Sequence, residues 1–417
     1  MKKHTLIESS PIVLATVLIS SSMISLPAFS AGLQLMPGSP NSGTAGAGHA
    51  AVGLGSGSAW ANPATMTLLK GQHIGLGVIS AKTDVQFKGE ESTSNNALRP
   101  GEPDPYVNGG NAGGSINIPS FSYVNSLTDD ISVGFSLVVP YGNSLDYDDD
   151  WEGSNVATSV SMQTLQAMPS IAYRLNEQFS LGFGITANET EVAQELKLMG
   201  MDLELEADSL DYGWTLGGLY ELNNEHRFGF VYRSQVDSNM KGDAKIADKS
   251  YDTYLNWETP ASIVISGVHQ ISINTSILWD VGRTFYSAFE TTTVEVNDFA
   301  LLSEIELERN WKDANRYAVG THYQLTDSLI LQAGYSLDES TVDTEDRSAD
   351  LPLNDIHRYT AGALYQATDS TGLAFSLEYA DLGKTKIEDS GDPLFSSPAG
   401  EIESSATVAT FAVNYQF

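Results

Sequence analysis

From His73 to the C-terminus the chain repeats one pattern, in which apolar and polar residues alternate between clusters of Gly, Asn, Asp or Ser. A period of two places successive side chains on opposite faces of a β-strand, and almost no stretch shows the 3.6-residue period of a helix. The pattern therefore predicts an all-β fold of about fourteen strands. The predicted strand cores span residues 73–86, 116–126, 130–141, 158–174, 177–192, 208–222, 226–238, 261–271, 273–289, 303–323, 328–340, 357–367, 371–385 and 405–417.

The stretch from Tyr212 to Val236 indicates what surrounds these strands. It predicts two strands that turn at Asn223-Asn224, with one face carrying Tyr212, Trp214, Leu216, Tyr220, Phe228, Phe230, Tyr232 and Val236. The other face carries Gly213, Thr215, Gly217, Glu221, Arg227, Gly229, Arg233 and Gln235. This second face is too small and too charged to form the inner layer of a sandwich. Something apolar must therefore cover the aromatic face.

Lipid is the covering that the rest of the sequence favours. The mean hydropathy is −0.15, and after the N-terminus no apolar run approaches the roughly 18 to 20 residues of a spanning helix, but barrel strands average out on such a scale. Short connectors such as 175–178 alternate with long acidic ones, predicted as loops at 142–157, 236–260, 341–355 and 387–404. This asymmetry is typical of outer-membrane barrels, which have an even number of strands. We therefore expect a transmembrane antiparallel β-barrel whose aromatic face meets lipid.

Both ends of the chain agree with this prediction. The last strand ends in Phe417, with Tyr415, Val413 and Phe411 at alternate positions before it, and looks like the C-terminal signal of bacterial outer-membrane barrels. Residues 1–30 have the charged start, apolar run and small-residue end of a cleavable signal peptide. The alternative, a buried N-terminal helix, is disfavoured because Pro27 would end it near the cleavage site.

Composition and motifs exclude several function classes. The net charge of −32 repels nucleic acid, and the absence of cysteine rules out a disulfide framework. No G-x-S-x-G, H-E-x-x-H or Walker sequence occurs, so we expect no enzyme, no cofactor and no metal, although separate strands could still assemble a Ser/His/Asp site. Gly182-Phe183-Gly184 lies inside a predicted strand and indicates packing, not nucleotide binding.

An acidic segment near residue 150 has two interpretations. Asp146, Asp148, Asp150 and Glu152 have the spacing that begins a calcium loop. Trp151 stands where that loop needs Gly, so we favour a solvated outer loop over Ca²⁺ binding.

Residues 31–70 do not alternate. They are rich in Gly, Ala and Ser, and their apolar stretches at 33–36 and 65–69 are unusual for a linker. Small residues suit a compact plug inside a wall of polar side chains. We predict an N-terminal hatch at 31–72 in the lumen of a barrel at 73–417.

Several short motifs, spread in order over the chain after residue 30, carry a resemblance to a known family. They are Ala31-Gly32-Leu33-Gln34-Leu35, Asn62-Pro63-Ala64, Tyr173-Arg174-Leu175-Asn176, Leu219-Tyr220-Glu221-Leu222, Tyr232-Arg233-Ser234, Lys312-Asp313-Ala314-Asn315-Arg316 and Asp355-Ile356-His357-Arg358-Tyr359. With these motifs the sequence resembles the FadL family of long-chain fatty-acid transporters of the bacterial outer membrane. The resemblance implies a fourteen-stranded barrel with a lumenal hatch. It also implies a ligand route from an outer groove to a pocket near the hatch, and then sideways into the membrane at a kink in the third strand.

The resemblance and the local chemistry agree on the place of this exit. Pro140, Tyr141 and Gly142 end the third predicted strand, and Pro lacks the ladder donor while Gly tolerates a bend. We predict a broken pairing and a lateral exit there, with an ordinary strand end as the alternative.

Candidate ligand contacts follow from the chemistry of a fatty acid, which needs apolar contact for its tail and a donor for its carboxylate. The apolar candidates are Leu33 and Leu35 in the hatch, and Leu196 and Met199 in a predicted loop at 189–211. The resemblance places pocket cations near Lys197, Arg309 and Arg316, although each could instead pair with a neighbouring carboxylate.

The identity of the ligand stays open. The loop at 189–211 is shorter than the apolar hairpin that the family often carries there, and toluene-uptake relatives share the architecture. An aromatic or aliphatic hydrocarbon is therefore an alternative substrate, and a general porin or a surface receptor is a further one. We expect a monomer whose partners are a hydrophobic small molecule, outer-membrane lipids and lipopolysaccharide.

Overall fold

The computed structural model describes residues 35–89, 108–288, 291–297, 304–388 and 398–417. The predicted signal peptide and Leu33 lie outside these residues, as do the ends of two predicted strand cores at 289 and 303. Both the signal peptide and the role of Leu33 stay predictions.

In these described ranges, eighteen strand segments form one antiparallel sheet that closes on itself, because β1 pairs with both β2 and β18. Consecutive segments β7 and β8, β9 and β10, β11 and β12, and β13 and β14 each make one interrupted strand, which gives fourteen strands around the barrel. The predicted fourteen-stranded barrel is confirmed. The segments are β1 (Gln72–Gly89), β2 (Ser115–Ser126), β3 (Ile131–Asp146), β4 (Ser159–Arg174), β5 (Phe179–Leu198), β6 (Met201–Glu221), β7 (His226–Arg233), β8 (Val236–Ile246), β9 (Lys249–Thr259), β10 (Ser262–Ser272), β11 (Thr275–Thr284), β12 (Thr291–Val296), β13 (Glu304–Glu308), β14 (Ala314–Thr326), β15 (Leu329–Asp338), β16 (Ile356–Thr368), β17 (Thr371–Ile387) and β18 (Gly400–Gln416).

The outer face of the barrel is apolar, as the alternation predicts. On β6, Tyr212 and Trp214 are 68% and 42% exposed, whereas the next residue, Thr215, points inward and is buried. An exposed apolar belt is stable when lipid covers it. Its members include Leu76, Ile171, Leu181, Phe183, Ile185, Ile265, Val281, Val319, Tyr359, Phe375, Leu377 and Tyr379.

One face assignment was wrong. The alternation predicts that Val236 faces lipid with Tyr232, but its side chain is buried inside the barrel. The reason is a break at Ser234 and Gln235 between β7 and β8, which shifts the alternation by one residue.

Two predicted loops are also strands. Residues 189–211 form the ends of β5 and β6, which turn at Met199-Gly200, and most of 236–260 forms the hairpin of β8 and β9. Their charges led to the prediction of loops. Above the membrane, however, the outer face of a strand meets water, so charged residues can alternate with buried ones such as Met240 and Ala244.

The described part of the hatch, residues 35–71, lies in the lumen. It contains a 3-10 helix at Ser42–Thr44, the short helix α1 at Ser58–Ala61 and a 3-10 helix at Pro63–Leu68. Two further 3-10 helices, Tyr286–Ala288 and Thr344–Asp346, belong to the outer loops. Among the described residues, no helix has the length and apolar composition needed to cross a membrane.

Wall glycines let the hatch backbone approach the strands. A Cβ on Gly229 would lie 1.9 Å from the carbonyl oxygen of Ala50, and a Cβ on Gly182 would lie 2.2 Å from the amide nitrogen of Ala64. Glycine inside a strand often marks such a close approach of another backbone. The prediction that Gly182 serves packing is therefore confirmed.

Candidate functional site

The barrel wall is interrupted between β2 and β3. These strands pair only from Ser126 and Ser132 to Phe121 and Leu137, so residues 115–120 of β2 have no ladder partner on β3 among the described residues. On its other side β3 changes register with β4 between Val138 and Tyr141, where one extra residue makes a bulge. The interruption coincides with the predicted break at Pro140, Tyr141 and Gly142.

The first described residue of the hatch reaches this interruption. The backbone N–H of Leu35 donates to the carbonyl oxygen of Pro140 at 2.7 Å. The Leu35 side chain is buried in a cluster with Ile79, Ile118 and Val139, which line the same part of the wall. The tip of the hatch at Leu35 thus lies on the inner side of the interruption between β2 and β3, which we call the gap. Within the described residues, one backbone hydrogen bond to the wall and apolar contacts hold Leu35 there.

A small cavity lies between this tip and the wall. Its volume is about 80 Å³. Its lining joins the hatch tip (Leu35, Met36), the middle of the hatch (His49, Trp60), the edges of the gap (Ile118, Ser120, Ser136, Val138) and the charged residues Arg316, Arg358 and Glu378. Ligand pockets typically measure roughly 300–1,000 Å³. An acyl chain therefore fits only if part of the lining moves.

On its charged side the cavity is bordered by alternating arginines and carboxylates, which we call the arginine row: Arg316, Asp338, Arg358 and Glu378. Arg316 pairs with Asp338 at 3.0 Å, Asp338 with Arg358 at 3.1 Å, and Arg358 with Glu378 at 2.9 Å. The buried carboxylate of Asp280 lies 3.8 Å from Arg316. Each arginine of the row has an acidic neighbour, because an unpaired buried charge would be very costly.

Burial also sets the charge of His49, the hatch histidine that lines this cavity. Burial itself and the positive charges of Arg233 and Arg316 lower the pKa of His49 well below its ordinary value. The imidazole is therefore neutral at physiological pH, and its ring packs edge-on against Trp60 with centroids 5.3 Å apart.

Three wall arginines hold the hatch by its backbone carbonyl groups. Arg174 donates to Thr67 at 2.7 Å, Arg233 donates to Trp60 and Ala61 at 3.1 and 3.2 Å, and Arg316 donates to Ala45. The carbonyls of Trp60, Ala61 and Thr67 lie in the last turns of short helices, where they lack intrahelical partners. The guanidinium of Arg233 also stacks over the Trp60 ring at 4.4 Å.

The Asn62-Pro63-Ala64 motif is a further anchor. The Asn62 amide donates to the carbonyl oxygens of Ala50 at 2.6 Å and of Gly218 at 3.0 Å, and its own oxygen accepts from the Ala64 N–H at 3.0 Å. Pro63 at the start of the following 3-10 helix needs no hydrogen-bond partner. The fully buried motif thus fastens the middle of the hatch to β6.

This fold, with its lumenal hatch and interrupted third strand, agrees with the match to known sequences. A sequence profile described as "Outer membrane protein transport protein (OMPP1/FadL/TodX)" matches residues 21–417. The chain belongs to this family. It is an outer-membrane protein, and the family consists of transporters or channels for hydrophobic ligands.

Relatives of this OMPP1/FadL/TodX protein extend over most of its length. The chain is 26% identical over 396 residues to the "Long-chain fatty acid transport protein" of Salmonella typhi, with 85% of this chain and 87% of the relative covered. Its structure is similar to that of a Pseudomonas aeruginosa FadL homologue, with a TM-score of 0.85, 20% identity and 93% and 100% coverage. It is also similar to the Ralstonia pickettii toluene transporter TbuX, with a TM-score of 0.68, 16% identity and 93% and 99% coverage. The structural likeness supports the fold.

Two of the predicted ligand residues meet at the cavity of this family member, and a third lies in a second apolar site. Leu35 and Arg316 both line the cavity. Leu196 is buried in a large outer cluster formed by β3, β4, β5, β6, β8, β9, β12, β14 and the outer loops. A second cavity of about 50 Å³ lies near this cluster, lined by Tyr286 and Ala314 of the cluster and by Met36, Arg316 and Arg358, which also line the first cavity.

The other candidates lie elsewhere. Lys197 pairs with Asp150 at 2.8 Å, Met199 is exposed at the hairpin tip, and Arg309 pairs with Asp350 at 2.9 Å in the outer loops. Each of the two cations thus has the acidic partner that was considered as the alternative. These positions do not test whether the residues contact a ligand, so their roles stay predictions.

The acidic segment at 146–152 contains a buried aromatic contact. Trp151 is buried and stacks on Tyr147 with ring centroids 4.0 Å apart. In the described part of the chain, no group of three or more His, Cys, Asp or Glu side chains is arranged to hold a metal ion.

Sequence reasoning missed several residues of the site. Pro119 lies on the part of β2 that pairs with β1 but has no partner on β3 among the described residues. A proline inside a predicted strand core signals an edge without a ladder donor, so this residue was detectable. Arg358 and Ser136 carry no such signal, because only strand register brings them to one cavity, and the same holds for Asp338, which pairs with Arg358.

Proposed function

We propose that this protein carries long-chain fatty acids across the outer membrane by diffusion, with the hatch tip as gate and the β2–β3 gap as exit. The observation that carries the proposal is the position of the cavity. It touches the hatch tip, the interrupted edges of β2 and β3, and the arginine row at once.

Release into lipid has a large energetic advantage over release into the periplasm. Exposing a tail to water costs about 0.8 kcal/mol per CH₂, or about 12 kcal/mol for about fifteen methylenes. A sideways opening avoids this cost. The unpaired backbone of such an opening must face the lumen or water, because lipid would leave it unsatisfied.

The hatch supports gating because its two parts are held differently. Residues 58–68 are fastened by Asn62 and by Arg174 and Arg233. The tip at Leu35, within the described part of the hatch, has a single backbone hydrogen bond to the wall and apolar contacts that an acyl chain could replace. A ligand entering the 80 Å³ cavity would therefore displace the tip and leave the anchors in place.

The outer apolar cluster suits the entry side of the route. It contains Leu196, Leu198, Leu203 and Leu205 beneath charged outer hairpins. The second cavity leads from it towards the arginine row. We propose this order: outer cluster, second cavity, main cavity, gap.

The arginine row favours an acid over a plain hydrocarbon. Arg316 and Arg358 can exchange part of their pairing with Asp338 and Glu378 for charge-assisted hydrogen bonds to a ligand carboxylate, whereas a hydrocarbon gains nothing from them. Hydrocarbon uptake stays the second candidate, supported by the likeness in fold to toluene transporters.

Uptake by cells that lack the protein tests the proposal. Labelled fatty acids of several chain lengths and labelled toluene would be supplied at limiting concentration, with and without a plasmid carrying the gene. We expect restored fatty-acid uptake, with a smaller gain for toluene. Unchanged fatty-acid uptake at normal surface expression would refute it, and restored toluene uptake alone would establish the second candidate.

A further inference from the structure

Ser136 is a buried polar group without a hydrogen-bond partner in the described protein. Its side chain is 0% exposed, its Oγ has no partner, and it lines the main cavity. It lies on β3 two residues before Val138, where the register with β4 begins to shift. A buried hydroxyl that makes no hydrogen bond lowers stability, so its presence calls for a reason outside the empty protein.

The neighbouring hydroxyls are all satisfied. Ser120 donates to the carbonyl oxygen of Gly38 at 3.1 Å, and Ser122 shares a hydrogen bond with Ser56 at 2.8 Å. Ser132, also buried on β3, donates to the carbonyl oxygen of Met66 at 3.3 Å. These three hydroxyls bind the hatch, whereas Ser136 directly opposite Ser122 does not.

We propose that Ser136 donates a hydrogen bond to the carboxylate of a bound amphiphile and makes the cavity select acids over hydrocarbons of equal length. The inference rests on the proposed function and deepens it. The cavity supplies the remaining chemistry, with Arg316 and Arg358 for the negative charge and Leu35, Ile118 and Val138 for the tail. Of the described side chains that line this cavity, Ser136 is the one with a fully buried polar atom that has no hydrogen-bond partner.

The test compares Ser136→Ala with Ser132→Ala, which removes a satisfied hydroxyl from the same strand. Binding of labelled laurate and dodecane to the purified barrels is measured by equilibrium dialysis in one detergent. We expect S136A to weaken laurate binding about tenfold and to leave dodecane binding unchanged. S132A should leave the ratio of the two affinities at its wild-type value.

Stability of the empty barrel gives a second readout. S136A should unfold at the same temperature as the wild type or higher, because it removes an unsatisfied group. S132A should unfold at a lower temperature, because the Met66 carbonyl loses one of its two donors and keeps only the Leu69 N–H.

Three results would overturn the inference alone: laurate binding by S136A equal to wild type, equal losses for laurate and dodecane, or a destabilised S136A barrel. Wild-type protein that bound dodecane but not laurate would overturn both this inference and the assignment of fatty acids.

Discussion

Gly217 on β6 is the wall position against which the hatch anchor closes. A Cβ there would lie 2.0 Å from Oδ1 of Asn62, so the Asn62 side chain must move by about 1 Å or more in Gly217→Ala. That shift breaks the 3.0 Å bond to the Gly218 carbonyl and disturbs the two other bonds of the amide. At about 1 kcal/mol per bond, docking of the hatch weakens by about 2 to 3 kcal/mol, and the undocked population rises by about 30- to 150-fold.

Hydrogen exchange followed by mass spectrometry measures this directly. Peptides covering residues 58–69 should exchange faster in Gly217→Ala, while β6 itself keeps its protection. Gly218→Ala is the matched control, since its Cβ would meet only the Cβ of Phe230 at 3.9 Å. Equal exchange of residues 58–69 in the two variants would refute the claim that the Asn62 contact holds the hatch.

Two more predictions concern the outer loops and the lipid face. Burial would raise the pKa of Asp350, but Arg309 and the hydrogen bonds around it outweigh burial and hold the pKa below its ordinary value. The pair therefore stabilises the loop fully above the unfolded carboxyl pKa of about 4, and this stabilisation is lost as pH falls from there through the lower pKa of the folded state. Protease should cleave residues 339–355 of the wild type faster on acidification, whereas Asp350→Asn should be cleaved fast at every pH. Cleavage of the wild type that does not depend on pH would contradict this. Leu377 is 50% exposed on the outer face of β17. The substitution Leu377→Arg should reduce the free energy of unfolding in lipid vesicles, measured by urea titration, by about 2 to 4 kcal/mol. An unchanged urea midpoint would show that this face does not meet lipid.

Strand count and facing were predictable because the period-two signal is local. The last strand shows this clearly, since residues 405–416 lie within β18 and pair along their length with β1. The same signal failed where charge overruled it, as in the hairpin of β8 and β9, whose outward lysines and aspartates resemble those of a loop. It also failed at Val236, where a two-residue break shifts the register invisibly.

The site was predictable only in part. The kink at Pro140 follows from residue type, and Arg316 was found through the family resemblance. The partners of Arg316 come from β11 and β15 and from the hatch, so their meeting depends on barrel closure and not on sequence spacing. The free hydroxyl of Ser136 is visible only once the partners of its neighbours are known.

The central claim is that ligand leaves sideways when the hatch tip moves away from the kink. The 2.7 Å hydrogen bond from the Leu35 N–H to the Pro140 carbonyl oxygen makes this pair the choice for an engineered disulfide, and the chain has no native cysteine to interfere. Fatty-acid uptake by cells carrying Leu35→Cys with Pro140→Cys should fall to the level of cells without the protein under oxidising conditions and recover with dithiothreitol, while each single variant stays active. Full uptake by a double variant whose cross-link is proven by mass spectrometry would contradict the account and favour passage along the barrel axis.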